Sequence, residues 1–429
     1  MAAARLLRRS GFGTTGVAVD TLVAEGTDSY LESALSGAED PGATSTPVPN
    51  LDISAAKPGN EATTAARRNY NKEIAERRAE LMGWWVRRMV AVEQPLREKL
   101  TLLWHNHFAT SLDKVRYPSF MAAQNETIRS LCLGDFRTLA FAMLTDAAMV
   151  RWLDGHTNRM GSPNENLARE FLELFALGHG NGYSEKDVRE GARALTGWSI
   201  DDAGVTKLVA KRQDTAPKTV LGTTRNLDSA GFCDVVLSHP NSARFVCSRL
   251  WRQLASDSAP TSATLKRLLV SYGDDADLRA LTRAILTDPE FSERGTTQIV
   301  GPVEWFIGLH RAMHIPIDSP RKAKHVNATL KSLGQLPFYP PSVGGWPGGQ
   351  GWLSAAAAGI RLRAAAALIR EGDISAVEDA PASDRLDAAG YLLGIGAWSN
   401  TTAEALQPLR KNAHALVAAA ANTPEYLVS

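Results

Sequence analysis

Residues 94–108 read QPLREKLTLLWHNHF, and the period of this stretch decides what kind of protein the rest can build. Pro95 stands where the first turn of a helix tolerates proline. Leu96, Leu100, Leu103 and His107 then recur at i, i+4, i+7 and i+11, the signature of one helix face. On a strand, His105 and His107 would share a face and read as a metal pair. On a helix, residues two apart lie about 200° apart, so His107 points to the core and His105 turns to the side of Glu98 and Thr101. The spacing predicts an inward, hydrogen-bonded His107, with a ligand or acid–base role for either histidine as the competing reading.

The same helical period runs outward in both directions. Short amphipathic stretches span Ala2 to Arg9 and Thr15 to Glu25, and a Pro/Ser/Thr/Gly-rich loop runs from Gly37 to Gly59. Helices are expected over about 60–92, 95–108, 117–133, 135–145, 164–177 and 185–198. The pattern resumes over 227–286, 302–313, 321–333, 354–371, 383–394 and 402–421. Between them, residues 199–222 carry turn residues and β-branched runs, which predict a hairpin or extended excursion. The expected fold is mainly α, a multi-helical bundle-like domain with a small β-hairpin excursion. Its parts are an N-terminal helical cap (1–36), a flexible loop (37–59) and a main helical domain (60–429), as one body or as two lobes meeting near 199–226.

Composition narrows the function classes. The 429 residues are 44% hydrophobic and 22% charged, ordinary for a soluble globular chain. Lys plus Arg number 47 against 46 for Asp plus Glu, so no global field draws in nucleic acid or an anionic membrane. No stretch approaches the roughly 20 apolar residues of a membrane span. The start, MAAARLLRRSGFG, lacks the apolar region of a secretory signal, which makes the cytoplasm the default expectation. Cys132, Cys233 and Cys247 form no CxxC and suggest a reducing compartment, with a Cys233–Cys247 bridge left open.

Three further stretches carry candidate chemistry. In SPNENLAREFLELFALG (162–178), Ser162, Pro163 and Glu165 match a capping box, while Asn166, Glu170 and Glu173 line one side. Arg169 sits four residues from both Glu165 and Glu173, which fits either a surface ladder or, if buried against the histidine helix, a set of ligands, bases or histidine orienters. In YSEKDVREGARALTGW (183–198), Ser184 and Asp187 mark a helix start, Arg193 is placed to hold a carboxylate such as Glu170 or Glu173, and Trp198 closes the helix. VGGWPGGQGW (343–352) lacks the spacing of a phosphate loop, and Trp346 and Trp352 fit buried anchors better than stacking platforms.

Taken with LLRRSGFG (6–13), QNETIR (124–129), WLDG (152–155), KTVLG (218–222), SARFVCSRLW (242–251) and GGWPGG (344–349), these motifs make the chain resemble the bacterial domain-of-unknown-function family 1800. The resemblance runs from about Arg5 to the terminal TPEYL. It implies no established reaction. It does imply a protein partner, a member of family 1501 that looks like phosphatase or sulfatase relatives, and an extracytoplasmic role in some bacteria. Ahead of KTVLG the family commonly carries His-Asp where this chain has Gln213-Asp214, which leaves Asp214 and Lys218 to make a polar contact.

Two functional expectations follow. One is an enzyme, a hydrolase or metal-dependent, acting on an anionic or polar substrate through His105, His107, Glu165, Arg169 and Glu170. Asn164, Asn166, Arg193, Trp198, Asp214, Lys218 and Trp346 would bind substrate, and His107 with Glu170 would hold a divalent metal. The other is a non-catalytic scaffold or maturation partner, in which the same polar residues fix helix register. Convergence of the histidines and carboxylates on a solvent-reachable pocket favours the first; dispersal or sealing favours the second.

Overall fold

The stretch QPLREKLTLLWHNHF forms a helix over Leu96–His107 that lies deep in the fold. Ten of its twelve residues are buried, including Glu98, Lys99, His105 and His107. A helix buried on every side must present apolar groups in all directions and must find partners for any polar group it carries inside. Leu96, Leu100, Leu103 and Trp104 point into one hydrophobic cluster, with Phe136, Phe171, Phe175, Phe232 and Trp251. Leu102 points into a second, with Trp84, Trp85, Trp305, Phe306, Phe338 and Trp346. Phe171 and Phe232, from either side of the 199–222 excursion, lie in the same cluster with ring centroids 5.6 Å apart.

The computed structural model describes residues 2–55, 57–201 and 203–428. Among these, 24 α-helices stand against four three-residue strands, so the chain is mainly α as the periodicity predicts. The long helix Thr64–Ala91 starts on Thr63, whose side chain accepts from the Ala66 N–H. Its charged first half is largely exposed, and Leu81, Trp84, Trp85, Val86 and Met89 are buried in its second half. A helix absent from the sequence reading, Thr27–Leu35, follows Gly16–Glu25 and packs against Leu96–His107. The Gly37–Gly59 loop is broken only by the single turn Pro41–Thr44; Ala56 lies outside the described residues.

The excursion at 199–222 is two hairpins rather than one, and Asp202 within it lies outside the described residues. Trp198–Ile200 pairs antiparallel with Thr206–Leu208, and Lys218–Val220 with Thr223–Arg225. Val220 faces Thr223 across a two-residue turn, Leu221-Gly222, with φ of 47° and 79°. Two consecutive positive φ values suit the right-handed twist of a tight hairpin, and the carboxylate of Asp187 fixes the turn by accepting the Leu221 N–H at 2.7 Å.

The three cysteines are buried and free, which closes the Cys233–Cys247 alternative. Among the described residues no helix is long and apolar enough to cross a membrane.

Candidate functional site

His107 is 2% exposed, and its Nε2 meets the carbonyl oxygen of Phe175 at 2.9 Å. The reason lies in the PNENLARE segment. An α-helix runs only over Asn166–Glu170 and then widens to π geometry over Phe171–Ala176. Carbonyls in the last turn of a helix have no donor of their own. A neutral imidazole protonated on Nε2 supplies one to Phe175, leaving Nδ1 without a partner against a wall of Trp104, Phe108, Phe136, Phe175 and Phe245. Burial, with the Arg249 charge beside it, pushes the His107 pKa down to about 3 although the Phe175 carbonyl pulls the other way.

His105 is sealed in a different cage. Trp85, Phe338 and Trp346 surround it at ring-centroid distances of 4.8–5.6 Å from one another or from the imidazole, and neither ring nitrogen has a hydrogen-bond partner. Burial alone pushes its pKa down to about 3. Between the two histidines, Asn106 does the joining: its Oδ1 accepts the Trp346 N–H at 2.7 Å. Gly345, at φ +85°, brings the chain so close that a Cβ would lie 2.2 Å from that oxygen. WHNHF and GGWPGG are therefore two halves of one joint, and Trp346 is a buried anchor in it.

The carboxylates of PNENLARE are elsewhere. Arg169 reaches Glu165 at 3.0 Å, Glu173 at 3.3 Å and Glu185 at 2.7 Å, with Arg169 and Glu185 side chains 30% and 65% exposed. This is the surface ladder, extended by a fourth member from the next helix. Glu170 stands beside it, its pKa raised by burial and by Glu173. The expected capping box at Ser162–Glu165 does not form. Glu165 turns to Arg169 instead, and Asn164 Oδ1 accepts the Asn166 N–H at 3.0 Å, so Asn164 makes the turn that starts the helix. The box at Ser184 and Asp187 does form.

Arg193 faces neither Glu170 nor Glu173. Its guanidinium forks onto Asp214 at 2.8 and 3.3 Å and bonds Glu190 at 2.9 Å. Burial works against the Asp214 carboxylate, but the Arg193 bonds hold its pKa below the usual value. Lys218, 1% exposed, donates to the Asp214 carbonyl and to Asn226 Oδ1, and burial lowers its pKa. Trp198 does not close its helix, which ends at Ala194; it opens the strand Trp198–Ile200, and its Nε1 donates to Ser229 Oγ at 2.7 Å, tying that strand to the helix Ser229–Leu237 rather than to a ligand.

Two polar groups that sequence reasoning passed over are central. Glu98, 1% exposed, accepts from Trp85 at 3.0 Å, from Arg88 at 2.6 Å and from Arg129 of QNETIR at 2.6 and 2.9 Å. Asn158, fully buried, donates to the Ala192 carbonyl at 2.8 Å and accepts the Asn164 N–H at 2.9 Å. The sequence signal for Glu98 was weak, because Arg97, Lys99 and Thr101 beside it make the first turns of that helix look like an ordinary charged face. Among the described residues no group of three or more His, Cys, Asp or Glu is placed to hold a metal, and the His107 Nε2 is taken by the Phe175 carbonyl.

The family model for proteins of unknown function (DUF1800) matches residues 5–428. The chain belongs to that family. No curated protein and no solved structure matches it. As a DUF1800 member it carries WHNHF and GGWPGG in contact through Asn106 and Trp346, and QNETIR tied by Arg129 to Glu98 on the helix that ends in WHNHF, while His107 bonds Phe175 in the turn that follows PNENLARE.

Proposed function

We propose that this DUF1800 chain is a recognition scaffold, and that the polar residues of its motifs hold helices in register instead of forming a His/Glu active site. One observation carries the reading: the two histidines lie in separate aromatic cages while Arg169 pairs at the surface with Glu165 and Glu185. A general base needs access to substrate and a pKa near the working pH. Neither imidazole has them, since both are sealed and pushed down to about 3. A buried ion-pair centre such as Glu98 with Arg88 and Arg129 suits the role of specifying which helices dock, because any other arrangement strands a charge.

The partner that this reading favours is a phosphatase- or sulfatase-like protein of family 1501, as a maturation or assembly client. The test has two arms. Purified full-length chain is mixed with a purified family 1501 protein and followed by size-exclusion co-elution and calorimetry, with a saturable complex expected. In parallel, His107→Ala and Glu170→Ala are assayed for melting temperature, cellular activity and bound metal. Unchanged stability with lost cellular activity, or metal lost on His107→Ala, would return the protein to the enzyme class.

A further inference from the structure

A cleft of about 610 Å³ opens on the loop that leads into PNENLARE, lined by His156, Thr157, Arg159, Ser162, Asn164 and Arg212, with Pro163. Its lining holds two guanidiniums and an imidazole and no carboxylate. That imbalance is local, because the chain as a whole carries a net charge of only +1. Elsewhere in the fold arginines meet acids: Arg129 meets Glu98, Arg169 meets Glu185, Arg193 meets Asp214 and Arg267 meets Asp288. In the cleft neither arginine meets one among the described residues. The Arg159 side chain is exposed and makes no bond among the described residues. Arg212 is half-buried, donates one Nη to the His156 carbonyl, and keeps its Nε buried with no partner. The bond to the His156 carbonyl uses one of the five guanidinium N–H donors, which leaves the other Nη free to face a group in the cleft.

The cleft is also held in shape. Buried Asn158 grips the Asn164 N–H and the Ala192 carbonyl, the Met160 N–H bonds the Arg212 carbonyl at 2.7 Å, and the Gly197 N–H bonds the Asn158 carbonyl at 3.1 Å. The two segments that bear Arg159 and Arg212 are thereby locked side by side. Donors set in a rigid frame lose little entropy when a ligand arrives.

The geometry points to an oxyanion site: the cleft takes a phosphate-type group, free or as a monoester, with Arg159 and Arg212 as its charged donors and Ser162 and Asn164 as neutral ones. Nothing in the scaffold reading requires this site, and its test is separate. Full-length protein is titrated by calorimetry with inorganic phosphate and with phenyl phosphate, at constant ionic strength set by sodium chloride. Saturable one-to-one binding is expected, weakened roughly tenfold or more in R159Q and in R212Q and unchanged in R294Q, which removes an exposed charge elsewhere. Because Arg159 makes no side-chain bond among the described residues, R159Q keeps the test open if R212Q loses its far-UV dichroism. Tighter binding of the ester assigns an organic phosphate as occupant, and equal binding assigns the free anion; both uphold the site. No saturable heat with either probe, or equal weakening in all three variants, overturns it.

Discussion

Replacing His105 by phenylalanine should remove a specific part of the protein's acid sensitivity. The imidazole is 1% exposed, bonded to nothing and held with a pKa of about 3, against 6.5 for a free histidine. As pH falls below 6.5 the unfolded chain takes up a proton that the folded one refuses, so stability present above 6.5 is lost on acidification toward 3. Between about pH 8 and pH 5 the loss is about 1.4 kcal/mol for each of the 1.5 pH units below 6.5, or about 2 kcal/mol for this one ring. Phenylalanine keeps an aromatic ring in the Trp85–Phe338–Trp346 cage, breaks no hydrogen bond and does not titrate. Urea unfolding at the two pH values should show the wild type losing about 2 kcal/mol more than His105→Phe. Taking the difference cancels other groups, including Asp146, which burial pushes up to about 7 and whose protonation acts in the opposite sense. Identical pH dependence in the two proteins would mean that His105 titrates freely in the fold, and the sealed-cage account would be wrong.

Five other substitutions separate buried joints from surface decoration. His107→Ala opens a cavity and strips the Phe175 carbonyl of its donor, so urea unfolding should show a loss of about 3–5 kcal/mol, whereas Arg169→Ala on the exposed ladder should cost about 1 kcal/mol or less. Glu98→Gln leaves Arg88 and Arg129 facing each other without their shared carboxylate, and a loss of about 3–5 kcal/mol is expected by the same measurement; a change under 1 kcal/mol would show that the centre is wet. Gly345→Ala places a methyl group 2.2 Å from Asn106 Oδ1 in a left-handed backbone, and should lower the melting temperature more than Asn106→Ala, which only removes the acceptor of the Trp346 N–H.

Much of the fold is legible in local patterns because helices announce themselves by period and caps. Leu96–His107, Pro118–Leu131, Phe136–Leu144, Pro302–Ala312 and Pro320–Ser332 lie within a few residues of their expected spans. What failed locally did so for identifiable reasons. A π-helical turn at Phe171–Ala176 has the same apolar spacing as the α-helix it replaces, so periodicity does not reveal it. Ser162 and Glu165 satisfy the letters of a capping box, yet the buried amide of Asn158 holds Asn164 at the helix start instead. Residue types alone do not say which of two competing caps will have its partner nearby.

The candidate site shows the same division. That His107 faces inward follows from 94–108 alone, because a continuous helix leaves it no other side. That its partner is a carbonyl rather than a carboxylate depends on where a helix almost seventy positions later ends its last turn. His105, expected on the flank, is buried as deeply because a second cluster, built from the long helix and the C-terminal third of the chain, covers that flank. The sequence by itself determined helix faces and family. Only the tertiary structure decided which faces met, and so whether each charged or aromatic group became a sealed joint, an exposed ladder or the wall of a cleft, since desolvation and pairing are properties of the packed neighbourhood and not of the residue.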